Sequence, residues 1–158
     1  MEVKDLVAYC GLYCGLCDHR TKIPKHAVAL IESMERAEYD DWGPSLPDFS
    51  EFWRFLKQLA VVDDSRCCRV GKCGEGFCAI KRCTTEKGVR ICVECDQYPC
   101  KWVTGLAKSE PTLLHDGKRI KEKGLEVWVQ EQEERRRLGF CYADVRCLPS
   151  GFPKIEGT

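Results

Sequence analysis

Histidine is scarce in this sequence, with three among 158 residues. No Cys–His or Ser–His–Asp arrangement suited to nucleophilic catalysis stands out. No glycine-rich segment ends in the Gly-Lys-Ser/Thr of a phosphate loop. Long apolar runs are missing as well. The opening residues carry charges at Glu2, Lys4 and Asp5, and nothing later approaches the ~20 residues a membrane span needs. That pattern predicts a cytoplasmic protein with no membrane partner. Charge of one sign is absent too: 25 basic residues face 25 acidic ones, which argues against general nucleic-acid binding. No segment alternates with the period of a strand.

Cysteine is what the chain has in excess. Thirteen residues are cysteine, and a content above about 8% in a short chain marks a disulfide scaffold or a metal protein. A reducing compartment favours metal or redox chemistry over structural disulfides. An odd number of cysteines would also leave one thiol outside any disulfide framework.

The spacing sharpens this. Cys10-x3-Cys14-x2-Cys17 forms one block, at 10–17. A second block, at 67–100, runs through Cys67, Cys68, Cys73, Cys78, Cys83, Cys92, Cys95 and Cys100. Cys14-x2-Cys17 and Cys92-x2-Cys95 have knuckle spacing, in which two intervening residues let both thiolates reach one ion at ~2.3 Å. Either pair alone is a weak signal. Together with the x4 intervals of Cys73, Cys78 and Cys83 they form a strong one.

Side chains on neighbouring residues diverge, so only one of Cys67 and Cys68 is expected to ligate, and Cys68 is taken as that one. The expected metal ligands are Cys10, Cys14, Cys17, Cys68, Cys73, Cys78, Cys83, Cys92, Cys95 and Cys100. About two Zn²⁺ ions would satisfy them. Their grouping stays open. Cys92 and Cys95 can join two of the middle cysteines, leaving the N-terminal three to Cys100 or the middle block. Alternatively, the two knuckles can share one ion. Cys141 and Cys147 read as small hydrophobes. His19 could complete a site but reads better as a surface residue, and His26 and His115 fall in helices without cysteine partners.

Two other chemistries compete. Cys-x3-Cys-x2-Cys is the spacing with which radical S-adenosylmethionine enzymes hold a [4Fe–4S] cluster. Their barrel is longer than this chain, and no strand–helix alternation follows Cys17. An iron–sulfur or thiol redox protein built on Cys10, Cys14 and Cys17 is the main alternative. Nucleic-acid binding would use the segment from Arg66 to Arg90, where basic residues exceed acidic ones by five. A zinc ion held by four thiolates carries a net charge of −2, so one or two such sites would offset most of that excess. No catalytic residue stands out. The reading is a non-enzymatic, metal-stapled scaffold or interaction module, for which a protein partner is one option.

Periodicity predicts one mainly α domain over 1–158, with irregular cysteine-rich loops stapled by metal. Helices are expected at about 24–38, 48–62, 100–108, 110–123 and 125–138. Ala27, Leu30, Ile31, Met34 and Ala37 form the stripe of the first, with Pro24 in its opening turn. Asp48 and Glu51 have capping-box spacing, and Phe52, Phe55, Leu56 and Leu59 form a stripe expected to pack in the core. Phe77–Cys83 predicts a short helical turn stopped by Gly88. Ser109 is the expected cap of the fourth helix, with Gly117 weakening its middle. Leu125, Trp128 and Val129 form the seam of the last, where Glu131–Arg135 and Glu133–Arg137 have i,i+4 spacing.

Taken together, the segments Ala8–Cys17, Cys78–Cys83, Glu86–Gly88, Cys92–Cys95 and Tyr98–Cys100 resemble a family of short cysteine-rich bacterial and archaeal proteins, known as a domain of unknown function. The likeness continues into Gly124–Trp128 and the charged helix after it. It implies a small cytoplasmic metal-binding protein and brings no activity with it. The segment Cys67–Cys73 departs from that family's tighter Cys-x-Gly-Cys, and Cys141 and Cys147 stand farther apart than its terminal pair.

Overall fold

The structure is a computed structural model that describes residues 3–62, 67–73 and 76–145. The described chain is helical, as the periodicity predicts. Its helices are α1 (Lys22–Arg36), α2 (Tyr39–Trp42), α3 (Phe49–Leu59), α4 (Ala79–Lys87), α5 (Lys101–Leu106), α6 (Leu113–Lys123) and α7 (Leu125–Arg137). Short 3-10 turns punctuate the loops, notably at Cys14–Leu16 and Cys92–Glu94. No strand forms among the described residues; Val7 and Tyr13 make one isolated antiparallel bridge.

The main core gathers Val7, Tyr13, Leu16, Ile91, Val93, Ile120, Trp128 and Tyr142. Trp128 is completely buried and meets the Tyr13 ring edge-on, with centroids 6.0 Å apart. Leu125 and Val129 pack beside it, so the expected α7 seam is the face that meets the core. The Tyr13 backbone N–H donates to the Tyr142 hydroxyl oxygen at 2.8 Å, tying the start of the chain to the turn after α7.

Several local expectations are corrected. Asp48 does not cap α3: its backbone is left-handed, with φ 59°, and its side chain makes no capping bond. A capping side chain needs the extended geometry of an N-cap residue. Ser109 does not cap α6, which starts at Leu113 after Thr112. The Ser109 hydroxyl instead donates to the Leu106 carbonyl at the end of α5. The helical turn or two expected from Phe77–Cys83 does form, as α4, which is closed by Gly88 with φ 65°. Such a left-handed position is one that glycine takes without strain.

The aromatic stripe of α3 also differs. Leu56 is buried, whereas Phe52 and Phe55 are exposed, Phe55 by 57%. The buried aromatic is Phe49, stacked 5.5 Å from Trp53. In α7 the expected i,i+4 pairs give way to others. Glu131 reaches across to Arg119 of α6, while Glu133 and Glu134 pair with Arg136 and Arg137 at i,i+3. Arg135, one turn from Glu131, is instead engaged by the buried Asp116 and by Gln132, which leaves Glu131 to the guanidinium of Arg119.

Candidate functional site

Hydrogen bonds bring the two cysteine blocks together. Ala8 N–H donates to the Leu12 carbonyl at 2.8 Å and Gly11 N–H to the Ala8 carbonyl at 3.0 Å, which curls the chain around Cys10. Cys92 N–H then donates to the Tyr9 carbonyl at 2.8 Å, setting this loop beside the second block. Arg69 holds three segments at once. Its Nε donates to the Val7 carbonyl at 2.6 Å, and its Nη2 donates to the Arg90 carbonyl at 2.5 Å. Its guanidinium also lies over the Tyr9 ring, 4.5 Å from the centroid. Lys81 Nζ, on α4, donates to the Gly71 carbonyl at 3.4 Å.

Within this frame the cysteines fall into groups. Cys83, Cys92, Cys95 and Cys100 line one cavity of about 500 Å³, with Lys87 and Trp102 also in its wall. Cys83 comes from α4. Cys92 and Cys95 bracket a 3-10 turn in which Cys95 N–H donates to the Cys92 carbonyl at 3.0 Å. Tyr98 N–H donates to the Cys95 carbonyl at 2.9 Å and carries the chain round to Cys100. Lys87 Nζ sits 3.6 Å from Cys95 Sγ and also donates to Gln97 Oε1 at 2.8 Å. Burial pushes the Cys92 thiol up to about 12, helped by its sulfur neighbours Cys100, Cys83, Cys95 and Cys78.

A second gathering involves Cys10, Cys68, Cys73 and Cys78. Cys10 packs with Cys68 in one apolar cluster and with Cys78 in another. Burial pushes the Cys10 thiol up to about 12 against an N–H bond from Leu12, with Cys68, Cys92 and Cys78 as electrostatic neighbours. Burial likewise raises Cys68, whose sulfur accepts from Tyr9 N–H and has Cys73 and Cys78 nearby. Cys78 occupies the N-cap of α4, its sulfur accepting the Lys81 N–H at 3.4 Å. Cys73 is exposed.

Cys14 and Cys67 make a third arrangement. They pack together with Ala8, and the Cys67 thiol donates to the Asp5 carbonyl at 3.4 Å. Interaction between the two thiols, with N–H groups of Arg69 and Val70, holds the Cys67 thiol below its ordinary value and raises Cys14. Cys67 and Cys68 both have thiol company, Cys67 from Cys14 and Cys68 from Cys73 and Cys78. Cys17 is half-buried at the end of its turn, its N–H bonded to the Cys14 carbonyl at 3.1 Å.

Among the described residues, no three His, Cys, Asp or Glu side chains stand close enough as they are to hold an ion. The sulfurs surround space rather than converge on a point. His19 is exposed and Cys141 is fully buried; Cys147 lies outside the described residues. Sequence reasoning missed the organising roles of Arg69 and Lys87, which it counted only as members of the basic segment. Arg69, Lys81 and Lys87 all commit donors to internal acceptors, and Arg66 lies outside the described residues. Among those residues no helix is long and apolar enough to cross a membrane.

The profile of a family described as "Protein of unknown function (DUF3795)" matches residues 6–105. No curated protein and no solved structure matches the chain.

Proposed function

Since the chain belongs to the DUF3795 family, whose function is unknown, we propose a role from its own residues: it is a zinc-binding scaffold protein in which metal acts as a structural staple. One observation carries this reading. Four cysteines from α4 and the loop that follows line a single cavity, and all four are sulfur donors of the kind structural zinc takes.

The donor set fits the group. Rotation about each Cα–Cβ bond re-aims a sulfur among staggered positions, and the cavity leaves room for that movement. Lys87 supplies a cationic donor at Cys95 Sγ, the kind of outer contact that orients a metal-bound thiolate. When bound, structural zinc contributes apparent binding free energies of about 10–16 kcal/mol at neutral pH. That magnitude would dominate the stability of a loop built from half-buried cysteines. No catalytic residue is assigned. The cytosol, which keeps thiols reduced, is the compartment this reading implies.

The test is elemental analysis of protein purified without oxygen. A colourless sample with stoichiometric zinc is expected, and a metal-free, fully folded protein would sink the reading. A second reading, a thiol redox or iron–sulfur protein, draws on the Cys14 to Cys67 sulfur contact. Broad visible absorption with stoichiometric iron would replace zinc by a cluster. Metal-free protein that reversibly oxidises Cys14 with Cys67 would favour the thiol reading. Nucleic-acid binding gains no support from a basic segment whose Arg69 and Lys81 bond backbone carbonyls of the same chain.

A further inference from the structure

We propose that Cys10, Cys68, Cys73 and Cys78 form a second, separate metal site, distinct from the site of Cys83, Cys92, Cys95 and Cys100, with Cys67 belonging to neither. The proposal rests on the zinc reading above and deepens it by dividing eight of the thirteen cysteines between two ions.

Position along α4 sets the two groups apart. Cys78 is the extended N-cap residue of α4, whereas Cys83 lies five residues on, within the helix. Cys83 lines the cavity with the Cys92 knuckle. Cys78 lies at the helix start, on the side where Lys81 grips the Gly71 carbonyl and draws the loop of 67–73 against α4.

The other ligands are delivered by hydrogen bonds that involve no thiol. Arg69, next to Cys68, is fastened to the Val7 and Arg90 carbonyls. The Cys92 N–H bond to Tyr9 seats the Cys10 loop beside the second cysteine block. Cys10 therefore shares one buried cluster with Cys68 and another with Cys78, and Cys73, at the end of the loop, is an electrostatic neighbour of Cys68. Cys67 is fully buried against Ala8 and Cys14, and its thiol donates to the Asp5 carbonyl at 3.4 Å. The vicinal pair thus sends one sulfur to the proposed site and one to the Cys14 contact. Four thiolates from three segments complete a tetrahedral donor set.

The experiment uses the full chain, purified anaerobically. Zinc is counted in the wild type, in a Cys10→Ser/Cys68→Ser variant and in a Cys83→Ser/Cys95→Ser variant. About two ions per chain are expected in the wild type and about one in each variant. In parallel, the wild type is alkylated under native conditions while a chelator is titrated, and each cysteine is followed by mass spectrometry. Cys10, Cys68, Cys73 and Cys78 should lose protection as one cohort, and Cys83, Cys92, Cys95 and Cys100 as another. This second measurement decides the matter if a variant fails to fold. A wild type with one ion, lost only in Cys83→Ser/Cys95→Ser, would overturn this inference and leave the zinc reading standing. So would Cys68 and Cys73 that alkylate equally fast with and without chelator. Wild type with no zinc would overturn both.

Discussion

The hydroxyl oxygen of Tyr98 lies 1.8 Å from the point where a β-carbon on Gly117 would stand. A glycine in the middle of a helix costs about 1 kcal/mol relative to alanine, and α6 carries that cost so that the Tyr98 ring can lie against its backbone. Gly117→Ala is therefore expected to destabilise the protein, by roughly 1–3 kcal/mol, the range for an overpacked core. Tyr98→Phe in the same chain removes the closest atom, whose hydroxyl has no hydrogen-bond partner. It should recover part of the loss, a coupling that urea melts of the single and double variants would measure. A Gly117→Ala protein more stable than wild type would contradict the close approach.

Tyr142 is expected to matter through its oxygen. The Tyr13 N–H that it accepts is buried, and removing the acceptor leaves that donor without a partner. Tyr142→Phe should cost about 1–3 kcal/mol, the penalty for an unsatisfied buried group. Equilibrium denaturation that shows no change would mean that another acceptor reaches Tyr13.

Much of this was legible in the sequence, and what was not has identifiable causes. The α7 seam was readable because Leu125, Trp128 and Val129 all lie on the face that meets the core. The α3 stripe was misread because periodicity reports an apolar face without saying whether anything covers it. Phe52 and Phe55 lie on such an uncovered face. Spacing nominates the cysteines as a set, but which of them the fold brings near one another was not readable from it. Grouping depends on Arg69 and Lys81 reaching carbonyls at Val7, Arg90 and Gly71, contacts between segments far apart in the chain. A carbonyl acceptor leaves no mark in a sequence, since every residue has one.

The α3 finding carries its own test. Neighbouring positions should behave oppositely: Leu56→Ala should cost about 2–5 kcal/mol as a buried leucine, and Phe55→Ser should stay within about 0.5 kcal/mol. Thermal or chemical melts of both variants check it. A large loss in Phe55→Ser would show that this face is covered in solution.

Asp144 gives the stability a pH dependence of known sign. Its bond to Lys22, with the Cys141 N–H it also accepts, holds its carboxyl below the usual carboxylate range. A group with a depressed folded value contributes stability above its unfolded value and loses it as pH falls through the folded one. Lys22 is raised by the same bond, so its contribution is lost only as pH rises beyond the ordinary lysine range. Asp144→Asn keeps an oxygen for Cys141 but removes the ion pair. Melting curves of wild type and variant should differ at neutral pH and converge in acid. Curves that stay equally separated at low pH would argue against the ion pair.

Cys141 separates packing cysteines from metal candidates. It is fully buried, so Cys141→Ala should cost about 1 kcal/mol, as small deletions in a core do, while zinc content stays at the wild-type level. Cys95→Ser should lose an ion. A Cys141→Ala protein that loses zinc would move that residue into a site.

Under the two-site proposal, Arg69 sets the order in which metal would be acquired. The donors around the first cavity lie between Cys83 and Cys100, within one short stretch of chain. Those of the second site run from Cys10 to Cys78 and meet only after a much longer loop has closed, at an entropic cost that grows with loop length. Until the guanidinium has found its two carbonyls, the second set of sulfurs has no common place to meet. Under the two-site proposal the first site would fill while the chain is still assembling and the second only once assembly is done, so its occupancy would report that the fold is complete.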